Sequence, residues 1–169
     1  MNSTAYAQTM SGYNRWMNER IYERCATLSD AERRADRGAF FRSIHGTLNH
    51  ILLGDRVWLG RFLGRDFRVA SLDEELYSDF AELTSERRTT DQEIGDWVGT
   101  LTAERLAGTL TYTSMINPQK RAYPMWVALV HFFNHQTHHR GQVTTLLSQL
   151  GIDPGVTDLI WLPGLQLPT

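Results

Sequence analysis

Residues Met125 to Leu150 run without a proline and carry one continuous apolar stripe. At about 100° per residue, Met125, Ala128, Phe132, Val143, Leu146 and Leu150 fall on one helical face within roughly 60° of each other. A segment of this kind is predicted to be a long helix buried along one side. Four of the six histidines of the chain, His131, His135, His138 and His139, lie inside it. His139 falls in the middle of the stripe and His135 at its near edge, whereas His131 and His138 lie about 80 to 120° off its centre. Two neutral imidazoles in an apolar stripe leave ring nitrogens without partners, at roughly 1 to 3 kcal/mol for each unsatisfied group. Imidazoles four apart sit one turn above each other, so His135 and His139 can offer two nitrogens to one cation, which removes that cost. The competing reading is a pair of core histidines bonded to carbonyls or waters.

Three further helices are expected upstream. Tyr13, Trp16, Met17, Ile21 and Leu28 recur at helical spacing between Tyr6 and Leu28, and Ser29-Asp30 supplies capping chemistry after them. Ala39 to Leu63 repeats Phe40, Ile44, Leu48, Ile51, Trp58 and Phe62 at threes, fours and sevens, with Gly64 placed to end it. A third helix is expected from about Asp73 to near Leu101, with Ser71 or Asp73 as cap; its charged middle, TSERRTTDQEI, is a solvated face, and it packs through Leu76, Phe80, Leu83, Ile94, Trp97 and Val98. Thr102, Arg105 and Leu106 suit a further short turn. Thr109 to Tyr123 is rich in β-branched and aromatic residues around the turn signal Asn117-Pro118, which predicts a small β-hairpin, and Pro124 suits the first position of the last helix. Gly151 closes that helix. The apolar bulk of Leu159, Ile160, Trp161 and Leu162 predicts a tail packed across the bundle as an extended arm. The expected fold is therefore all-α, a four-helix bundle with a small β-hairpin before the last helix.

At 169 residues and 41% hydrophobic content the chain suits one domain spanning 1–169. With 17 basic and 19 acidic residues intermixed there is no strong field to hold a phosphate backbone, so a nucleic-acid partner is not expected. No stretch is long and apolar enough for a membrane span, and the N-terminus has no leader pattern. The single cysteine, Cys25, excludes an internal disulfide and agrees with a reducing, cytoplasmic setting. Arg24 beside it could activate the thiol, but a lone cysteine in a helical pattern is more often a small core residue.

Two ligands on the last helix need a third, because metal sites in bundles are built from facing helices. The second helix offers His45 and His50, both on the flanks of its stripe, and periodicity does not choose between them. Asp55 is a carboxylate in the middle of that apolar face and must be paired. It suits either a hydrogen bond from a ligand histidine or, the slightly favoured reading, an arginine of a neighbouring helix. His131 suits a supporting donor or a substrate-facing acid, His138 faces solvent or a partner, and Arg140 is expected to anchor a neighbouring helix more than to bind substrate.

Three segments, NRWMN at 14–18, NHILLGDRVWL at 49–59 and HFFNHQTHHRGQ at 131–142, together resemble the DinB-like (DinB/YfiT) superfamily of metal-binding four-helix bundles, over nearly the whole chain. The resemblance implies three metal-ligating histidines, which by motif are His50, His135 and His139; the choice of His50 rests on it alone. It also implies a divalent metal ion; nitrogen donors suit zinc, nickel, iron and copper alike, with zinc or nickel expected first. Three imidazoles would leave an open position at which the metal activates water or a thiol, so a metal-dependent transferase or hydrolase acting on a small electrophile is expected, and the resemblance implies the thiol case, with a low-molecular-weight thiol such as bacillithiol or mycothiol. The alternatives are a non-catalytic, stress-associated bundle in which the metal is structural, and a core histidine network without an ion. A homodimer is expected, since relatives often dimerise and Leu53, Val57 and Leu59 lie beyond the main stripe of the second helix. The family name is shared with a lesion-bypass DNA polymerase, which this chain does not resemble.

Overall fold

The computed structural model describes residues 3–65, 67–114 and 118–167. The chain runs α1 (Ser3–Ala26), α2 (Asp30–Arg34), α3 (Ile44–Leu63), α4 (Phe80–Gly99), α5 (Ala103–Ala107), β1 (Thr109–Thr113), β2 (Lys120–Pro124) and α6 (Met125–Gln149), followed by a single 3-10 turn, Leu159–Trp161. The four long helices form the bundle. α1 lies against α4 and α6, and α3 lies against α6 and α4. β1 and β2 pair antiparallel, Thr109 opposite Pro124 and Thr113 opposite Lys120, and deliver the chain into α6. Ala122 and Tyr123 stand on the return arm as expected; Asn117, half of the expected turn signal, lies outside the described residues.

Side-chain caps set where the helices begin. Ser29 accepts from the Glu32 N–H while the Glu32 carboxylate accepts from the Ser29 N–H at 2.7 Å, a reciprocal cap that starts α2. The expected start of the second long helix at Ala39 is corrected to Ile44. Arg42 takes φ 64, and the Ser43 hydroxyl accepts from the Gly46 N–H at 3.0 Å, so residues 39–43 form a tight turn and not a helical one. Phe40, expected on the core stripe, is 83% exposed as a result. Gly64 ends α3 in the left-handed conformation, φ 67, as its position suggested. The third long helix starts at Phe80 and not near Asp73, because the Asp79 carboxylate accepts from the Glu82 N–H at 2.8 Å. Residues 67–78 form an irregular segment instead, and it lies along α3. Pro124 is the cap of α6, one residue earlier than its expected place.

The core sits between the four long helices. Phe62 of α3 and Trp97 of α4 stack with centroids 4.3 Å apart and planes 7° off parallel, and Phe132 of α6 meets both edge-on. A polar layer lies within the core. The Arg87 guanidinium of α4 donates to Asp55 of α3 at 2.5 Å and pairs with Asp91 at 3.0 Å, and Asn14 and Asn18 of α1 donate to Asp91. Gln136 of α6 donates to the other Asp55 oxygen at 2.7 Å. Burial works against the charge of Arg87, yet Asp91 and Asp55 hold its pKa above the ordinary value.

α3 is buried on nearly every side, which explains why so many of its residues are apolar. Leu53, Val57 and Leu59, expected to offer a dimer surface, are buried by the chain's own packing and supply no free face. The tail departs from expectation too. Tyr13 donates to the Thr157 carbonyl at 2.5 Å and Leu162 packs on the core, but Ile160 and Trp161 are exposed. No helix among the described residues is long and apolar enough to cross a membrane.

Candidate metal centre

α3 and α6 bring His50, His135 and His139 together. One ring nitrogen from each lies within 4.8 Å of the others, and the Nε2 atoms of His50 and His135 are 3.3 Å apart. On α6 the i, i+4 spacing brings His135 edge-on to His139 at 4.4 Å between ring centroids. On α3 the approach depends on Gly54, one turn after His50. A Cβ at Gly54 would stand 2.9 Å from Cε1 of His135, so the imidazole of one helix rests on the bare backbone of the other.

Two of the rings are oriented by hydrogen bonds on their far side. His50 Nδ1 lies 2.8 Å from the Leu72 carbonyl, an acceptor only, so Nδ1 carries the proton and Nε2 turns its lone pair inward. His139 Nδ1 lies 2.8 Å from Gln142 Oε1, which sets the same tautomer. Phe41, from the turn before α3, stacks on His50 at 3.7 Å and 17° and meets His139 edge-on, covering one side of the cluster. His50 and His139 are buried and His135 is half-buried, so access is from the His135 side.

Burial, reinforced by the His139 imidazole, pulls the pKa of His50 down to about 4. Burial and the neighbouring imidazoles pull that of His135 down to about 3. His139 is lowered as well, chiefly by burial. All three are therefore neutral at pH 7, the form in which an imidazole ligates a metal. The donor set fits a divalent cation, since neutral nitrogens from two helices converge and two of them are held with lone pairs inward.

The remaining candidates go elsewhere. His45 is buried, its Nε2 2.9 Å from the Tyr77 carbonyl and 3.2 Å from Arg34, and it has no part in the cluster. His131 is exposed, its ring 6.0 Å from that of His135 and 4.8 Å from that of Trp58. His138 is exposed beside Gln142. Asp55 takes the arginine partner and does not reach a cluster histidine. Arg140 donates to Asn14 and Thr137, tying α6 to α1. Cys25 is fully buried, and burial pushes its thiol up to about 12 despite Arg33, which removes it as an activated nucleophile.

Sequence reading alone missed Phe41, Gly54, Gln142 and the Leu72 carbonyl. Gln142 and Gly54 had signals, lying three residues after His139 and four after His50 on the same helical faces. Phe41 and Leu72 had none, since loops carry them to the site.

A family model described as DinB family matches residues 1–167. A curated relative, Protein DinB of Bacillus subtilis (strain 168), is 29% identical over 163 residues, covering 90% of this chain and 91% of that protein. A crystal structure of a DinB-like protein from Bacillus cereus ATCC 10987 superposes with a TM-score of 0.57 at 19% identity, covering 89% of this chain and 91% of that one, a likeness of fold.

Proposed function

The chain belongs to the DinB family, and from that premise we propose that it is a metal-dependent transferase or hydrolase acting on a small electrophile. His50, His135 and His139 hold one divalent cation, zinc or nickel ahead of iron or copper, and leave a position for a low-molecular-weight thiol or water. The observation that carries the reading is the convergence of three neutral imidazoles, their ligand atoms within 4.8 Å, from helices whose facing histidines are 85 residues apart in sequence. Three protein ligands with an open position are characteristic of catalytic sites, whereas structural sites are closed.

When bound, a divalent cation supplies Lewis acidity that makes a nucleophile of a thiol or water at neutral pH. The chain's own residues do the rest. The Leu72 carbonyl and Gln142 hold His50 and His139 in one tautomer and orientation. Phe41 keeps water from one side of the cluster. His131, on the accessible side, has a pKa lowered by partial desolvation of its ring against the protein and by Arg61, and its imidazole can take a proton there. The setting we assign is the cytoplasm, in keeping with a lone, buried cysteine.

A second reading, a non-catalytic bundle whose metal ties α3 to α6, draws on the burial of His50 and His139 under Phe41. Elemental analysis of untagged protein is expected to find about one divalent ion per chain, lost in His139→Ala. Metal content unchanged by that substitution rejects the site. Metal-dependent turnover of a thiol with monochlorobimane supports the enzyme; a loaded protein without turnover toward this or other electrophiles favours the structural reading.

A further inference from the structure

The metal cluster does not end at His135. On α3, His50, Gly54, Trp58 and Arg61 follow one another at one-turn steps, and on α6 the steps run back from His139 through His135 and His131 to Val127. The face that gathers the imidazoles therefore continues along the same two helices into a cavity of about 390 Å³ lined by Trp58, Tyr112, Tyr123, Val127, Ala128 and His131. His131 is the link, with its ring 6.0 Å from that of His135 and 4.8 Å from that of Trp58. The volume falls in the range of small-molecule sites.

The walls select shape. Trp58 and Tyr112 meet edge-on at 5.7 Å, and Tyr112 and Tyr123 of the hairpin lie 28° from parallel at 6.3 Å. Aromatic faces and edges of this kind favour a flat ring over a branched aliphatic group.

A neighbouring charge selects sign. The Arg61 guanidinium stands 4.1 Å from the Tyr112 centroid and 4.5 Å from that of Trp58, with no carboxylate paired to it among the described residues. Burial lowers its pKa, and its charge in turn lowers that of His131. A half-buried cation already occupying the aromatic faces repels a cationic ligand and leaves its own N–H donors for an acidic one.

We infer that this cavity seats a planar aromatic anion, ring against the wall formed by Trp58, Tyr112 and Tyr123 and acidic group toward Arg61, and that such a molecule is the electrophilic substrate presented to the metal centre. The naming of that ligand as substrate rests on the catalytic reading above; its binding does not.

The probe is 1-naphthoate, titrated by calorimetry into metal-loaded protein and into His139→Ala, with neutral 1-naphthalenemethanol as comparison. Saturable one-to-one binding of naphthoate to both proteins is expected. Arg61→Gln should weaken naphthoate about tenfold or more, the worth of a charged hydrogen bond, and change naphthalenemethanol little. Arg61→Lys should recover part of the loss. Tyr112→Ala should weaken both probes, and Val127→Phe, which fills the cavity from the opposite wall, should do the same should the hairpin variant fail to fold. With cobalt in the site, naphthoate should perturb the visible absorption bands. Absence of binding, or binding indifferent to Arg61 and to the cavity walls, overturns the site. Binding without any effect on the cobalt bands overturns its role in presenting substrate. Because binding is also measured in His139→Ala, loss of the metal reading leaves the cavity result standing.

Discussion

The Nε2 atoms of His50 and His135 face each other at 3.3 Å across the seam between α3 and α6. His50 donates its Nδ1–H to the Leu72 carbonyl, so its Nε2 can only accept. His135 meets it over Gly54, with no room for a side chain between. The separation is thus set jointly by a loop carbonyl and a glycine, and the glycine can be altered without touching a histidine.

Gly54→Ala places a methyl 2.9 Å from His135 Cε1 and must displace that ring. Metal affinity should fall markedly. Stability of the metal-free protein should change far less, because alanine gains about 1 kcal/mol over glycine in a helix interior and offsets part of the crowding. Calorimetric zinc titration beside thermal unfolding of the metal-free form checks this; unchanged affinity would show that the ring does not rest on Gly54.

Gln142→Ala removes the partner of His139 Nδ1 while leaving all three histidines. Loss of such an orienting partner costs about 10- to 100-fold in metal affinity. Competition with a chromophoric chelator measures it. An affinity equal to that of the unsubstituted protein would mean that His139 is oriented by packing alone.

Acid should destabilise the metal-free protein through the cluster. In the unfolded chain these histidines take up protons near pH 6.5, whereas in the folded chain burial holds His50 to about 4 and His135 to about 3. Between those limits the unfolded state binds more protons, so stability falls as pH falls from about 6.5 toward 4. Urea unfolding of the metal-free protein across that window, compared with a His50→Gln, His135→Gln double variant, isolates the effect. The variant should lose less stability on acidification; equal slopes would contradict the depressed pKa values.

Arg87→Met leaves the Asp55 and Asp91 carboxylates buried without their cation. Breaking a buried pair from one side costs about 3 to 5 kcal/mol, which for a chain of this size lowers Tm by roughly 2 to 4 °C per kcal/mol. Adding Asp55→Leu should restore part of the loss, because it removes one of the stranded charges. Differential scanning calorimetry of the single and double variants reads both steps. A single variant as stable as the parent would place the layer outside the load of the fold.

Periodicity in the chain determined the four long helices and the inward direction of His135 and His139, and β-branched composition around a turn signal determined the hairpin before the last helix, because each is a matter of residues a few positions apart on one element. Sequence alone left His45 and His50 equal, since both flank the stripe of α3, and the resemblance to a family named His50 without explaining it. The tertiary structure separates them physically. His45 is bonded to the Tyr77 carbonyl, and His50 is turned by the Leu72 carbonyl toward α6. It likewise decided that Asp55 belongs to Arg87, that Leu53, Val57 and Leu59 are interior, and that Phe41 covers the cluster. Such choices depend on which loop or helix lies opposite a side chain, and that neighbour is chosen by the packing of the whole bundle, far from the residue in sequence.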